Sequence, residues 1–289
     1  MACPLCNHER FAGSWLGSTF YRGKEFPYVE CLRCRSLYCD PMPDDETLAR
    51  MYGTDYETSF ADDPAIADPK EPQRVIEWLR RNERGTFVDY GCGAGALLAE
   101  AVRLNWKAVG VEFDDEVARV VARRTGTEVL SLRAAELLPE PIADVLHLGD
   151  VIEHLTRVNQ QMPRILRLIK PGGLLLAQGP LEANANLFTA TVRVVRRLRP
   201  APRTEMAPYH VMLATAEGQR ILFQRFGIEE IEYSIGETAW PAPDNLRLLD
   251  LKRPRAVGLF ALRRVSQAIS RLRPAKWGNR YFFVGRWNG

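Results

Sequence analysis

The chain has 289 residues, 46% hydrophobic and 26% charged, enough apolar material for one large core with a small appendage, and a composition that excludes disordered, collagenous and coiled-coil chains. Lys and Arg number 39 against 36 Asp and Glu, a formal net charge of +3, so no chain-wide field compels binding to nucleic acid or an anionic membrane; any basic partner surface must be local. No apolar run approaches the roughly 20 residues needed to cross a bilayer, and the start Met1-Ala2-Cys3-Pro4 lacks the charged-then-apolar layout of a secretion signal, so a cytoplasmic protein is expected.

Five of the six cysteines fall within the first 39 positions. Cys3-x-x-Cys6 and Cys31-x-x-Cys34 are matching pairs, and four thiolates delivered from two short knuckles suit tetrahedral Zn2+. Disulfides are the rival reading, disfavoured in a reducing compartment; Cys39 is left over as a small thiol. A closed four-thiolate site leaves no open coordination position, so the metal would fold the knuckles and not catalyse. The stretch between the pairs, with Phe11, Trp15, Phe20, Tyr21, Phe26 and Tyr28, predicts short strands too small to bury a core alone. Residues 1–40 are therefore expected as a small zinc-binding domain. Residues 41–72 follow as a linker: positions 40–72 hold ten acids, two bases and repeated prolines, with one short helix near Asp44 to Tyr52.

From Gln73 the texture becomes alternating helix and strand, opening a third region, 73–289. Val75, Ile76, Trp78 and Leu79 lie on one helical face. Thr86-Phe87-Val88-Asp89 reads as a strand running into Tyr90-Gly91-Cys92-Gly93-Ala94-Gly95, then a helical Ala96 to Val102. Glycines at alternate positions let backbone approach a ligand and aim amides at it, beside a helix N-terminus that favours negative charge. A second strand, Ala108 to Val111, ends in Glu112, where an acid can accept both hydroxyls of a ribose, and a helix spans Asp115 to Arg124. Alone this unit is ambiguous, since Gly91, Gly93 and Ala96 also satisfy the looser dinucleotide pattern.

Val88-Asp89-Tyr90-Gly91-Cys92-Gly93-Ala94-Gly95 resembles the first motif of the class I S-adenosylmethionine-dependent methyltransferases, with its acid two positions before the first glycine. The resemblance continues through Asp144 to Leu155 and through Leu168-Ile169-Lys170-Pro171-Gly172-Gly173-Leu174, covering about residues 73–180. It implies an α/β fold with a Rossmann-like seven-stranded sheet whose last strand is antiparallel and inserted between the fifth and sixth. It also implies a cofactor-binding set of Asp89, Gly91, Cys92, Gly93, Gly95, Glu112, Phe113, Glu136 and Asp150. In that set the glycine turn cradles the methionine part, Glu112 grips the ribose, Phe113 lies beside the adenine, and Glu136 or nearby backbone meets the adenine amine. The sheet would be completed by a helix over Ala216 to Phe226 and strands over Ile228 to Tyr233 and Tyr281 to Arg286. Insertions at 181–215 and 236–280 remain, the first expected as a substrate cover.

Methyl transfer from a sulfonium needs the acceptor aligned and its proton removed. His8 lies in the knuckles and His147 inside an apolar strand, leaving His154, with Glu153, and His210 as candidate catalytic residues; the bland alternative is that Glu153 and His154 cap a helix and order a loop. Related enzymes with a Glu-His pair here bind a divalent ion, so Glu153, His154 and His210 are also a candidate site for one. Residues 191–203 hold five arginines and 251–289 ten Lys and Arg, both without an acid. Phosphate groups of an activated or lipid-linked sugar, an anionic membrane surface or RNA would suit these bases; so would solvent, with the acidic linker balancing the charge. Zinc knuckles ahead of such a domain resemble bacterial enzymes that methylate sugars and related small acceptors of surface-polysaccharide and natural-product pathways, so an O-methyltransferase acting on a saccharide or small molecule is the leading expectation. An RNA base methyltransferase is the first alternative, though no RNA-binding module is evident. A non-catalytic protein that binds S-adenosylmethionine and zinc is the second.

Overall fold

A computed structural model of the chain describes residues 1–52, 71–198, 204–237 and 252–289. The chain divides into two compact units that interleave along the sequence: Met1–Asp68, Pro180–Ile221 and Ser234–Tyr281 form one, and Pro69–Gly179, Leu222–Tyr233 and Phe282–Gly289 the other.

The first unit is built on the aromatic stretch between the cysteine pairs. Strands β1 (Phe11–Tyr21) and β2 (Lys24–Cys31) are joined by Arg22-Gly23, both at positive φ, the backbone a two-residue hairpin turn requires. β3 (Leu37–Cys39) continues the antiparallel meander along β2. A three-stranded meander has two open edges and too little apolar surface to stand alone. Both edges are covered from the expected insertion at 181–215: β9 (Thr204–Glu205) pairs parallel with β1, and β10 (Met212–Leu213) antiparallel with β3, giving the order β10-β3-β2-β1-β9. The segment expected as a separate domain over 1–40 therefore shares its sheet with that insertion. Helix α1 (Asp45–Met51) is capped by Asp44, which accepts from the Thr47 amide at 2.8 Å. The rest of the expected linker, 53–70, lies outside the described residues. Helices α7 (Leu187–Leu198) and α9 (Pro254–Leu272) also belong to this unit.

The second unit carries the expected seven-stranded mixed sheet. β4 (Thr86–Tyr90), β5 (Lys107–Glu112), β6 (Glu128–Ser131), β7 (Ala143–Gly149), β8 (Ile169–Pro180), β11 (Ile228–Gly236) and β12 (Arg280–Trp287) take the order β11-β12-β8-β7-β4-β5-β6, with β12 inserted between β8 and β11 as predicted. β4 pairs parallel with both β5 and β7, and the outer neighbours β6 and β8 are parallel in turn. Helix α2 (Glu71–Arg81) lays Val75 and Leu79 against Phe87, Leu98, Trp106 and Leu176, and the Trp106 indole donates to the Leu79 carbonyl at 3.1 Å. Each such buried Leu or Phe contributes about 1.5–3 kcal/mol. Among the described residues no helix is long and apolar enough to cross a membrane.

Candidate functional site

At the carboxyl ends of β4, β5 and β7, adjacent parallel strands bring together the expected cofactor residues. Gly91, Gly93 and Gly95 all have positive φ, at 77°, 46° and 72°. The Gly91 and Cys92 amides both donate to the Val111 carbonyl, tying the loop to β5. Glu112, the last residue of β5, closes the arrangement: its Oε2 accepts from Gly93 N–H at 2.8 Å and its Oε1 from Phe113 N–H at 2.7 Å. A Cβ added at Gly91 would meet Val151 Cγ2 at 2.9 Å and one at Gly95 would meet Val121 Cγ1 at 2.5 Å, whereas one at Gly93 would meet nothing within 4 Å. The loop is thus packed from beneath at its ends and open above its middle. Helix α3 (Ala96–Arg103) starts at Gly95 without a side-chain cap, leaving amides suited to a carboxylate.

The remaining members of the set divide. Cys92 is buried in the core beneath the loop, and burial pushes its thiol up to about 12, so what it offers a ligand is backbone. Phe113 is 58% exposed beside Glu112, an apolar face of the kind an adenine would cover. Asp150 sits at positive φ just past β7, its amide donating to the Gln178 carbonyl. Glu136 is exposed and ion-paired with Arg164 at 3.1 Å. Asp89 is buried and bound at 2.7 Å to His147 Nδ1, a pairing that follows from register, since the two residues are Cα partners across β4 and β7. The imidazole lies against Gly149, where a Cβ would come within 2.5 Å of its Cε1, and stacks on Phe87 at 6.1 Å. Read as a strand core residue from sequence, His147 is the group that orients Asp89; a lone polar side chain in the apolar run Val145 to Leu148 was its signal.

Glu153 and His154 lie in a 3-10 turn after β7, Glu153 buried and His154 half-buried. His210 belongs to the first unit. Its Nδ1 is 2.7 Å from Glu182 Oε2 and its main-chain carbonyl accepts from the Tyr28 hydroxyl at 2.8 Å. A carboxylate on Nδ1 favours the tautomer whose Nε2 is basic, so Glu182, which sequence reasoning missed, orients one of the candidate bases. Glu182 also lines a cavity of about 290 Å³ within this unit, together with Trp15, Phe188, Asn186, Gln267, Asn279 and, on one side, Glu237 and Arg263. Aromatic faces with amides, a carboxyl and a guanidinium suit a small polar ring.

The four cysteines of the two pairs are all buried, with their sulfurs within 4.8 Å of one another. Cys3 and Cys34 Sγ are 3.7 Å apart and Cys6 and Cys31 Sγ 3.4 Å; thiolates about 2.3 Å from a common tetrahedral centre would stand about 3.8 Å apart. The two knuckles repeat one backbone device: Asn7 N–H donates to Cys3 O and Arg35 N–H to Cys31 O, with Asn7 and Arg35 both at positive φ. Hydrogen bonding from Cys3 lowers the Cys34 thiol below its ordinary range, and the Thr215 hydroxyl bonds the Cys34 carbonyl at 2.6 Å. Cys39 is buried apart from this cluster, its thiol pushed up to about 12 by burial.

Residues 66–231 match a family profile described as a methyltransferase domain. The chain belongs to that family. Among relatives of this methyltransferase domain, the ribosomal protein L11 methyltransferase of Dechloromonas aromatica is 37% identical over 116 residues, 37% of each chain. A probable S-adenosylmethionine-dependent methyltransferase of Mycolicibacterium smegmatis is 29% identical over 175 residues, 55% of this chain and 62% of that protein. The chain thus spans less than two thirds of these curated relatives. The structure of the Burkholderia thailandensis 1,6-didemethyltoxoflavin-N1-methyltransferase, with 1,6-didemethyltoxoflavin and S-adenosylhomocysteine bound, superposes with a TM-score of 0.54 over 94% of this chain and 100% of that one. At 11% identity that likeness is one of fold.

Proposed function

We propose that the chain transfers a methyl group from S-adenosylmethionine to a hydroxyl of a small acceptor, a saccharide or related molecule. The observation that carries the cofactor is the pairing of Glu112 with the open middle of the glycine loop at 2.8 Å, reinforced by family membership. When bound, the cofactor supplies a methyl group on a sulfonium, an already activated leaving group. The chain's residues do the rest. Glu112 accepts from the ribose hydroxyls, Asp89 is held by His147 to meet the ammonium end, and the amides of the loop and of the α3 N-terminus receive the carboxylate. For the acceptor's proton, His210, oriented through Nδ1 by Glu182, is the leading general base and His154, with Glu153, the alternative.

The four cysteines fit a structural zinc ion by distance, burial and knuckle geometry. Cys3, Cys6, Cys31 and Cys34 would hold it with no position left for substrate.

The test uses labelled cofactor, a panel of saccharide acceptors and an RNA pool. Glu112→Ala should weaken cofactor binding by roughly a hundredfold, the loss of two charge-assisted hydrogen bonds; unchanged affinity rejects the assignment. His210→Ala and Glu182→Gln should lower turnover with cofactor binding intact. Wild-type turnover in both, or label passing to RNA alone, overturns the acceptor reading.

A further inference from the structure

Helices α7 and α9 of the first unit each leave an apolar stripe exposed. On α7, Leu187, Ala190, Val194 and Leu198 recur every third or fourth residue with Val195 beside them, and all are exposed, Leu198 by 78%. Arg193 and Arg196 turn the other way: the Arg193 guanidinium lies 5.1 Å over the Trp15 ring and Arg196 donates to the Leu16 carbonyl. On α9 the exposed stripe is Gly258, Ala261, Val265, Ala268 and Leu272, the last exposed by 81%, while Val257, Phe260, Leu262 and Ile269 are half-buried and Ser266, Gln267 and Ser270 are buried. The helices meet through Phe188, whose amide donates to Ser266 Oγ at 3.1 Å and whose ring lies under Arg263 at 5.5 Å. The inner faces of both wall the same cavity, so both apolar stripes turn away from it.

An amphipathic helix normally buries its apolar stripe; two neighbours exposing theirs mark a surface that another apolar medium covers. The charge around the stripes decides which. Residues 251–289 hold ten Lys and Arg and no acid, and Arg255, Arg264, Arg271, Arg273 and Lys276 are exposed along and just beyond α9. A second copy docked by this face would set two acid-free cationic surfaces against each other. RNA would meet Val and Leu where it wants cations and hydrogen-bond donors. A bilayer bearing anionic headgroups satisfies both features, apolar stripe to acyl chains and rim to phosphates.

We propose that α7 and α9 form a docking surface that seats this unit on an anionic lipid membrane. Neither helix crosses it. None of the surface residues belongs to the cofactor loop, so lipid binding and S-adenosylhomocysteine binding can fail separately.

The full-length protein is sedimented with vesicles of phosphatidylcholine alone and of phosphatidylcholine mixed with phosphatidylglycerol. Binding is expected to the mixed vesicles only and to weaken as salt is raised. Val194→Glu with Val265→Glu, both at exposed positions, should weaken it roughly tenfold or more, with S-adenosylhomocysteine binding and circular dichroism unchanged. Should that pair lose the fold, Arg264→Gln with Arg271→Gln reads the electrostatic half and should also weaken binding. Equal binding to neutral vesicles, no vesicle binding, or wild-type binding by the folded variants overturns the proposal. So does a concentration-dependent dimer that Val194→Glu abolishes, or RNA that displaces the vesicles from wild-type protein.

Discussion

Gly93 and Gly95 sit two residues apart in one loop, yet alanine at each should fail in a different way. Both have positive φ, which costs an L-residue about 1–2 kcal/mol. At Gly93 that is the whole cost to the fold, since the added methyl would have nothing within 4 Å; at Gly95 it would press on Val121 Cγ1 at 2.5 Å and Thr125 Cγ2 at 3.1 Å. Overpacking of that kind adds about 1–3 kcal/mol, so Gly95→Ala should cost about 2–5 kcal/mol in all. Cofactor affinity should sort the other way. The Gly93 methyl would stand in the open face where Glu112 and the loop amide converge, and should weaken S-adenosylhomocysteine by roughly ten- to a hundredfold, or about 1.4–2.8 kcal/mol. Urea unfolding reads the first quantity and titration calorimetry the second. A Gly93→Ala protein that binds with wild-type affinity would show that the open middle of the loop is not the cradle. Equal stabilities for the two variants would refute the packing argument beneath Gly95.

Metal analysis of the purified protein should find about one zinc per chain, and Cys31→Ser or prolonged chelation should open residues 1–52 to proteolysis, because a structural zinc site supplies folding energy of about 10–16 kcal/mol; well-folded protein with no metal would count against the site. Glu237 gives a pH signature. Burial raises its carboxyl from 4.5 to about 7, so folding favours the protonated form. That contribution is complete below the unfolded value near 4.5 and is lost as pH rises through about 7. Glu237→Gln should therefore match the parent near the acid end of this window. Above it, the variant should exceed the parent by about 1–2 kcal/mol, a figure already reduced for partial exposure. Parallel stability curves for the two proteins would refute the burial argument.

Much of this was legible in the sequence because it is local. The knuckles announce themselves by spacing, and the strand, glycine turn, helix and following acid from Thr86 to Glu112 are contiguous, so periodicity and turn chemistry place Gly91, Gly93, Gly95 and Glu112 before any tertiary contact is known. What escaped depends on register or on distant partners. Asp89 meets His147 only because β4 and β7 are parallel and in that register. Glu182 meets His210 across 28 positions; the histidine could be singled out from sequence, but its carboxylate partner carries no motif. Strands β9 and β10 are two residues each, too short for alternation to show, yet they cover both edges of the cysteine-bearing sheet.

The two basic helices show a subtler limit. Periodicity reveals that Val194 and Leu198, or Val265 and Leu272, share a face, but not whether that face looks inward, and the default assumption sends it to the core. Here that assumption fails twice in adjoining helices, and the inner walls explain why. The inward positions Ser266 and Gln267, with Arg263 over Phe188, line the cavity that Glu182 also lines, and polar side chains suit a space that water or a polar ligand fills. A helix with a polar inner face and an apolar outer face is stabilised further where what lies outside is also apolar. The polarity inside and the leucines outside are thus one arrangement seen from two sides, which the proposed anionic lipid surface would complete.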